Sequence, residues 1–74
     1  MDICITLKSG RILEMSDFTH INYVNAKGMT VKVENFDNFY LYNRLLTFVG
    51  KNQIITISSE DIESIQYYNV KINE

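Results

Sequence analysis

Apolar and polar residues alternate along much of this chain with the two-residue period of half-buried β-strands. Ile3, Ile5 and Leu7 alternate with Cys4 and Thr6. Residues 11–15 return from a turn carrying Gly10, and two strands joined so closely must run antiparallel. Residues 19–24 read as a third strand through Ile21 and Tyr23. Asn25, Ala26, Lys27 and Gly28 follow as a hairpin loop whose glycine suits a left-handed position. Met29, Val31 and Val33 then alternate with Thr30, Lys32 and Glu34, the cleanest strand pattern in the chain. Residues 45–49 form another strand, ended by Gly50, Lys51 and Asn52, and residues 53–58 return from that turn.

The most informative stretch is 54–68, which reads as strand, one tight helical turn, strand. Ser58, Ser59, Glu60 and Asp61 have the form of a capping box. A serine oxygen can accept a hydrogen bond from the free N–H groups that open a helical turn, and acidic residues suit its positive end. Residues 65–68 are again strand-like. Val70 and Ile72 share parity with Tyr68 but not with Ile65 and Tyr67. A bulge near Tyr67 and Tyr68 reconciles them, or else the tail is a separate edge that pairs with another chain. Residues 35–44 read two ways. Phe36, Phe39 and Tyr40 recur at helical spacing, while Phe39 and Leu41 flanked by Tyr40 and Tyr42 equally suit an aromatic-rich strand. A strand-like or irregular segment is preferred. An open sheet this small exposes its edges, so the expected fold is all-β. It is a single domain over residues 1–74, a small antiparallel barrel of five or six strands with one short helical turn before the last strand.

Leu7, Lys8, Ser9, Gly10 and Arg11, followed by Ile12, resemble the first hairpin of Sm-like small barrels, and Phe48, Val49 and Gly50 are similar to their second-motif turn. Residues 53–68 look equally like the end of an SH3-like barrel. The resemblance implies a barrel shape and ring-forming edges, but not RNA binding. Sm-like proteins carry an acidic residue followed by Met-Asn in the loop that contacts RNA, which residues 17–22 do not reproduce. Val49 also stands where a basic residue precedes the second-motif glycine.

Size changes this picture in one respect. At 74 residues the chain supports a single small core, and domains of this size usually need a staple. Cys4 is the only cysteine, which excludes a disulfide within the chain, and His20 is the only histidine, which argues against a metal. A well-packed core or oligomerisation is left. The net charge is −2 with both signs dispersed, so nucleic-acid binding lacks its electrostatic driving force. No segment approaches the roughly 20 apolar residues that span a bilayer, and no basic leader precedes the first strand. The lone cysteine and the lack of an Asn-x-Ser/Thr sequon fit a reducing, cytoplasmic interior. Richness in Asn, Ile, Lys and Tyr fits an AT-rich genome of the kind found in low-GC bacteria and their phages.

Candidate chemistry is sparse. Cys4 with His20 is the one pairing that resembles a nucleophile and base, yet a lone strand cysteine is ordinarily a packing residue. Glu60, Asp61 and Glu63 are accounted for by the helical turn. Glu14, Asp17 and His20 lack the spacing of a metal site. The three glycines are isolated and each is assigned to a turn, so no phosphate loop exists. An enzyme, a cofactor and a metal are therefore not expected. The aromatics carry more weight. Phe36, Phe39, Tyr40 and Tyr42 crowd one region, and Tyr67 and Tyr68 form a second cluster. Adjacent strand residues face opposite sides, so if these segments are strands at least one of Phe39 and Tyr40, and one of Tyr67 and Tyr68, should point outward. The plain reading is that these rings cap the barrel ends. The functional reading is a non-catalytic interaction module that binds a protein partner, or itself, through Phe36, Phe39, Tyr40, Tyr42, Tyr67 and Tyr68, in the manner of a small adaptor or inhibitor. The alternative is an oligomeric binder of a nucleotide or oligonucleotide at a subunit junction. Aromatics would stack on bases there while Lys8, Arg11, Lys27 or Arg44 met phosphates.

Overall fold

The structure, a computed structural model, describes residues 1–34 and 44–68. Strands β1 (Asp2–Leu7), β2 (Ile12–Met15), β3 (Phe18–Val24), β4 (Thr30–Val33), β5 (Leu45–Gly50), β6 (Ile54–Ser58) and β7 (Ile62–Tyr68) alternate with tight turns, and a 3-10 turn, Ser59–Asp61, separates the last two. The all-β expectation and the helical turn before the last strand both hold. All pairings are antiparallel. The strands form a three-stranded sheet ordered β2-β1-β7 and a four-stranded sheet ordered β4-β3-β5-β6.

Two features differ from the expected five- or six-stranded barrel. Among the described residues there are seven strands, and the two ladders are not closed into one. The reason is local. β2 and β3 are separated only by Ser16 and Asp17, where Asp17 takes a left-handed φ of 54° and turns the chain out of one sheet into the other. The 3-10 turn does the same between β6 and β7. Both bends fall where the strand pattern is interrupted, at Ser16 and Asp17 and at Ser59–Asp61.

Alternation places one face of each sheet in the core. From the three-stranded sheet come Ile3, Ile5 and Met15; from the four-stranded sheet, Ile21, Leu46 and Phe48, all essentially fully buried. Phe18 and Ile62 complete the cluster at the two bends. The Phe18 ring lies 6.3 Å from that of Phe48 and 6.2 Å from that of Tyr67, tilted to both, and so touches both sheets. The β1–β7 ladder is regular through Tyr67 and Tyr68, which pair with Ile3 and Asp2. Its irregularity lies at the other end, where Thr6 pairs with Ser64 and Leu7 with Ile62. The expected bulge near Tyr67 and Tyr68 is thus not in this ladder, and the tail beyond Tyr68 lies outside the described residues, as do residues 35–43.

The turns show how local chemistry sets these connections. Gly10 and Gly28 adopt φ of 93° and 79°, as turn glycines should. Asn25 holds its hairpin through a side-chain oxygen that accepts from the N–H groups of Lys27 and Met29 at 2.9 and 3.0 Å. Gly50 has a different role from the turn assigned to it. It ends β5 opposite Phe18 with no positive φ, and a Cβ there would sit 2.9 Å from Met15 Sδ and 3.3 Å from the Ser16 carbonyl oxygen. The capping box is also not realised as drawn, because Ser58 makes no side-chain cap. The buried Ser59 hydroxyl instead accepts from the Arg44 N–H at 2.9 Å, while the Ser59 N–H donates to the Arg44 carbonyl at 2.8 Å. The helical turn is thereby fastened to the start of β5.

Two substitutions test these closures. Ser59→Ala leaves the Arg44 N–H short of its acceptor and should cost about 1–3 kcal/mol in urea unfolding. Gly50→Ala should cost about 1–3 kcal/mol, because the buried Met15 must shift to admit the methyl. A Gly50→Ala protein as stable as the parent would show that this approach is not tight.

Candidate functional site

The only expected interface residues within the described chain are Tyr67 and Tyr68; Phe36, Phe39, Tyr40 and Tyr42 lie outside it. The alternation argument holds for the pair. Tyr67 packs on the core beside Phe18, and Tyr68 takes the opposite face of β7. Burial pushes the Tyr67 hydroxyl up to about 12 from 10.0. Tyr68 is also raised, first by desolvation and then by Glu14, Asp2 and Cys4, which share its outward face. The two tyrosines therefore do not form one surface.

The other candidates are separated by the sheets. Cys4 lies between buried Ile3 and Ile5 and so points outward from the three-stranded sheet, paired with Glu14 and Gln66. His20 is on the outward side of the four-stranded sheet, opposite Val49. Its Nδ1 lies 2.7 Å from Thr19 Oγ1, which itself donates to the Val49 carbonyl at 2.9 Å. A single hydroxyl proton cannot serve both bonds, so the imidazole Nδ1–H donates to Thr19. Cys4 and His20 are not brought together. Among the described residues no group of three His, Cys, Asp or Glu side chains could hold a metal ion, and no helix is long and apolar enough to cross a membrane. Lys8 and Arg11 flank the β1–β2 turn and Lys27 sits in the β3–β4 turn, while the Arg44 guanidinium lies 4.2 Å from the centre of the Tyr23 ring.

The geometry points instead to the outer face of the four-stranded sheet. The register places His20, Asn22 and Val24 of β3, Leu45, Thr47 and Val49 of β5, and Ile54, Thr56 and Ser58 of β6 on that face. None of these is Asp, Glu, Lys or Arg; the charge on this face is Lys32 of the β4 edge, opposite Asn22 and paired with Glu34. Val24, Leu45 and Ile54 are 61%, 65% and 68% exposed. Asn22, Val24, Thr30, Leu45, Thr47 and Thr56 line a groove of about 550 Å³, across which the Thr47 and Thr56 hydroxyls lie 3.2 Å apart. Tyr23 and Val24 carry it into a second depression with Asn25, Ala26 and Arg44.

Sequence reasoning missed this face, though a signal for it existed. Tyr23-Val24, Leu45-Leu46 and Ile54-Ile55 are adjacent apolar pairs within strands, so one member of each must face outward. The same argument applied to the aromatics would have found it among the aliphatics. Comparison with protein-family models, with curated proteins and with solved structures finds no match.

The raised Tyr67 hydroxyl gives a pH test. Its neutral form is favoured on folding, so its contribution to stability is complete below about pH 10 and falls as pH rises toward 12. Tyr67→Phe should flatten that alkaline decline in denaturant midpoint. An unchanged decline would mean that other groups drive it.

Proposed function

We propose that this chain is a non-catalytic interaction module that binds a protein partner through the outer face of its four-stranded sheet. The carrying observation is the composition of that face: three largely exposed aliphatic side chains among threonines, without an Asp, Glu, Lys or Arg on β3, β5 or β6. Exposed apolar surface with its charge confined to the β4 edge resembles the centre of a protein interface, where charge is depleted. The threonine hydroxyls, Asn22 and the Arg44–Tyr23 pair offer hydrogen bonding at its margin. The same proposal takes the finer fold to be a small SH3-like or Sm-like barrel. Its supports are the pairing of the first and last described strands, the bend that passes β2 into β3, and the 3-10 turn before β7.

Leu45→Asp puts a charge in the groove without touching the core. As an exposed substitution it should change stability by no more than about 0.5 kcal/mol. The immobilised parent chain should retain a protein partner that, once purified, binds Leu45→Asp at least about tenfold more weakly. Equal affinity for both proteins would remove the groove as the binding surface, and unfolding of the variant would return Leu45 to a structural role.

A further inference from the structure

Four strand edges are open among the described residues, on β2, β7, β4 and β6. Natural edges are protected by charge, proline or bulges, because their unpaired main-chain groups invite another strand. β2 carries exposed Glu14. β7 carries Glu63 beside its irregular register. β4 carries Lys32, which lies 3.6 Å from the Glu34 carboxylate. β6 has no such protection. Ile54, Ile55, Thr56, Ile57 and Ser58 include no charge, proline or glycine, and four of the five are β-branched.

The phase of its ladder shows what this edge presents. The Gly50 N–H donates to the Gln53 carbonyl at 2.8 Å across the hairpin turn. Continuing that alternation, Ile55 and Ile57 bond to Phe48 and Leu46, while Ile54, Thr56 and Ser58 direct their N–H and C=O groups away from β5.

We propose that β6 is a self-association edge, pairing antiparallel with β6 of a second copy about a two-fold axis at Thr56. Thr56 then faces Thr56 of the second copy, and Ile54 faces Ser58, with about six main-chain hydrogen bonds. Charge selects both partner and direction. Lys51 precedes the strand, and Glu60 and Asp61 follow it. Antiparallel pairing brings the basic end of one copy to the acidic end of the other, whereas parallel pairing sets like charges together. The pairing is closed, since it consumes the one unguarded edge among the described residues of each copy and joins the two four-stranded sheets into one. This deepens the interaction-module reading by naming a second copy as a partner, and rests on it only in taking this sheet as the interacting element.

The test is sedimentation equilibrium of the full chain from micromolar to near-millimolar concentration. The mass should rise from one chain to two and stop there. Thr56→Lys places like charges across the axis and should weaken dimerisation at least about tenfold. Thr56→Pro removes an outward N–H without breaking the β5–β6 ladder and should act likewise, with far-UV circular dichroism unchanged. Leu45→Asp, on β5 beside the edge strand and with no main-chain group at the pairing edge, should leave the dimer intact. A single-chain mass at the highest concentration overturns the proposal, as does growth beyond two chains or a dimer indifferent to Thr56→Lys. A dimer lost in Leu45→Asp but kept in the Thr56 variants transfers self-association to the groove, sinking the edge and sparing the interaction-module reading.

Discussion

The corner at Asp17 and Phe18 is the constraint on which the rest of the fold depends. A chain that continued straight from β2 would stay in the three-stranded sheet and leave one face of each ladder exposed. The left-handed Asp17 costs about 1–2 kcal/mol for a residue with a Cβ, although aspartate tolerates it better than most. Three hydrogen bonds offset that cost. The Asp17 N–H donates to Asp2 Oδ1 at 3.1 Å, the Phe18 N–H to the Met1 carbonyl at 2.8 Å, and the Lys51 N–H to the Asp17 carbonyl at 3.0 Å. Once the corner is made, the Phe18 ring reaches Phe48 on one side and Tyr67 on the other.

The second change of sheet, through the 3-10 turn, follows from this arrangement. With β1 in the first sheet and β5 in the second, the chain must leave β6 and return to pair with β1. The Ser59–Arg44 bonds fix where it leaves, and the Lys8 N–H bonded to the Asp61 carbonyl at 2.9 Å fixes where it arrives. Gly50 belongs to the same problem, since its missing side chain leaves room for Met15 at the first corner. Each closure is small, but together they bury both inward faces in a chain whose size leaves little margin.

The core and the side chains packed against it account for most of the apolar residues in these strands. Among the others, Val24, Leu45 and Ile54 lie on the outer face of the four-stranded sheet and gain little from folding. An uncharged β6 edge beside them is a liability for an isolated chain and a resource for an associating one. The proposed association rests on that exposed aliphatic surface and on the uncharged edge.

By itself the sequence determined the strands, their antiparallel hairpins, the helical turn before the last strand and the opposite facing of Tyr67 and Tyr68. These depend on local periodicity, turn chemistry and alternation, all carried by neighbouring residues. It did not determine that Ser59 rather than Ser58 would fasten the turn, because the choice depends on Arg44, which is remote in sequence. Nor did it reveal why Gly50 must be glycine, since the atoms that crowd it belong to Met15 and Ser16. The candidate surface was half legible: adjacent apolar pairs required outward side chains, but only the register brought Val24, Leu45 and Thr56 onto one groove. Tertiary structure decided how the strands divide between two sheets, because that division rests on one left-handed residue and on contacts across the chain that no local pattern encodes.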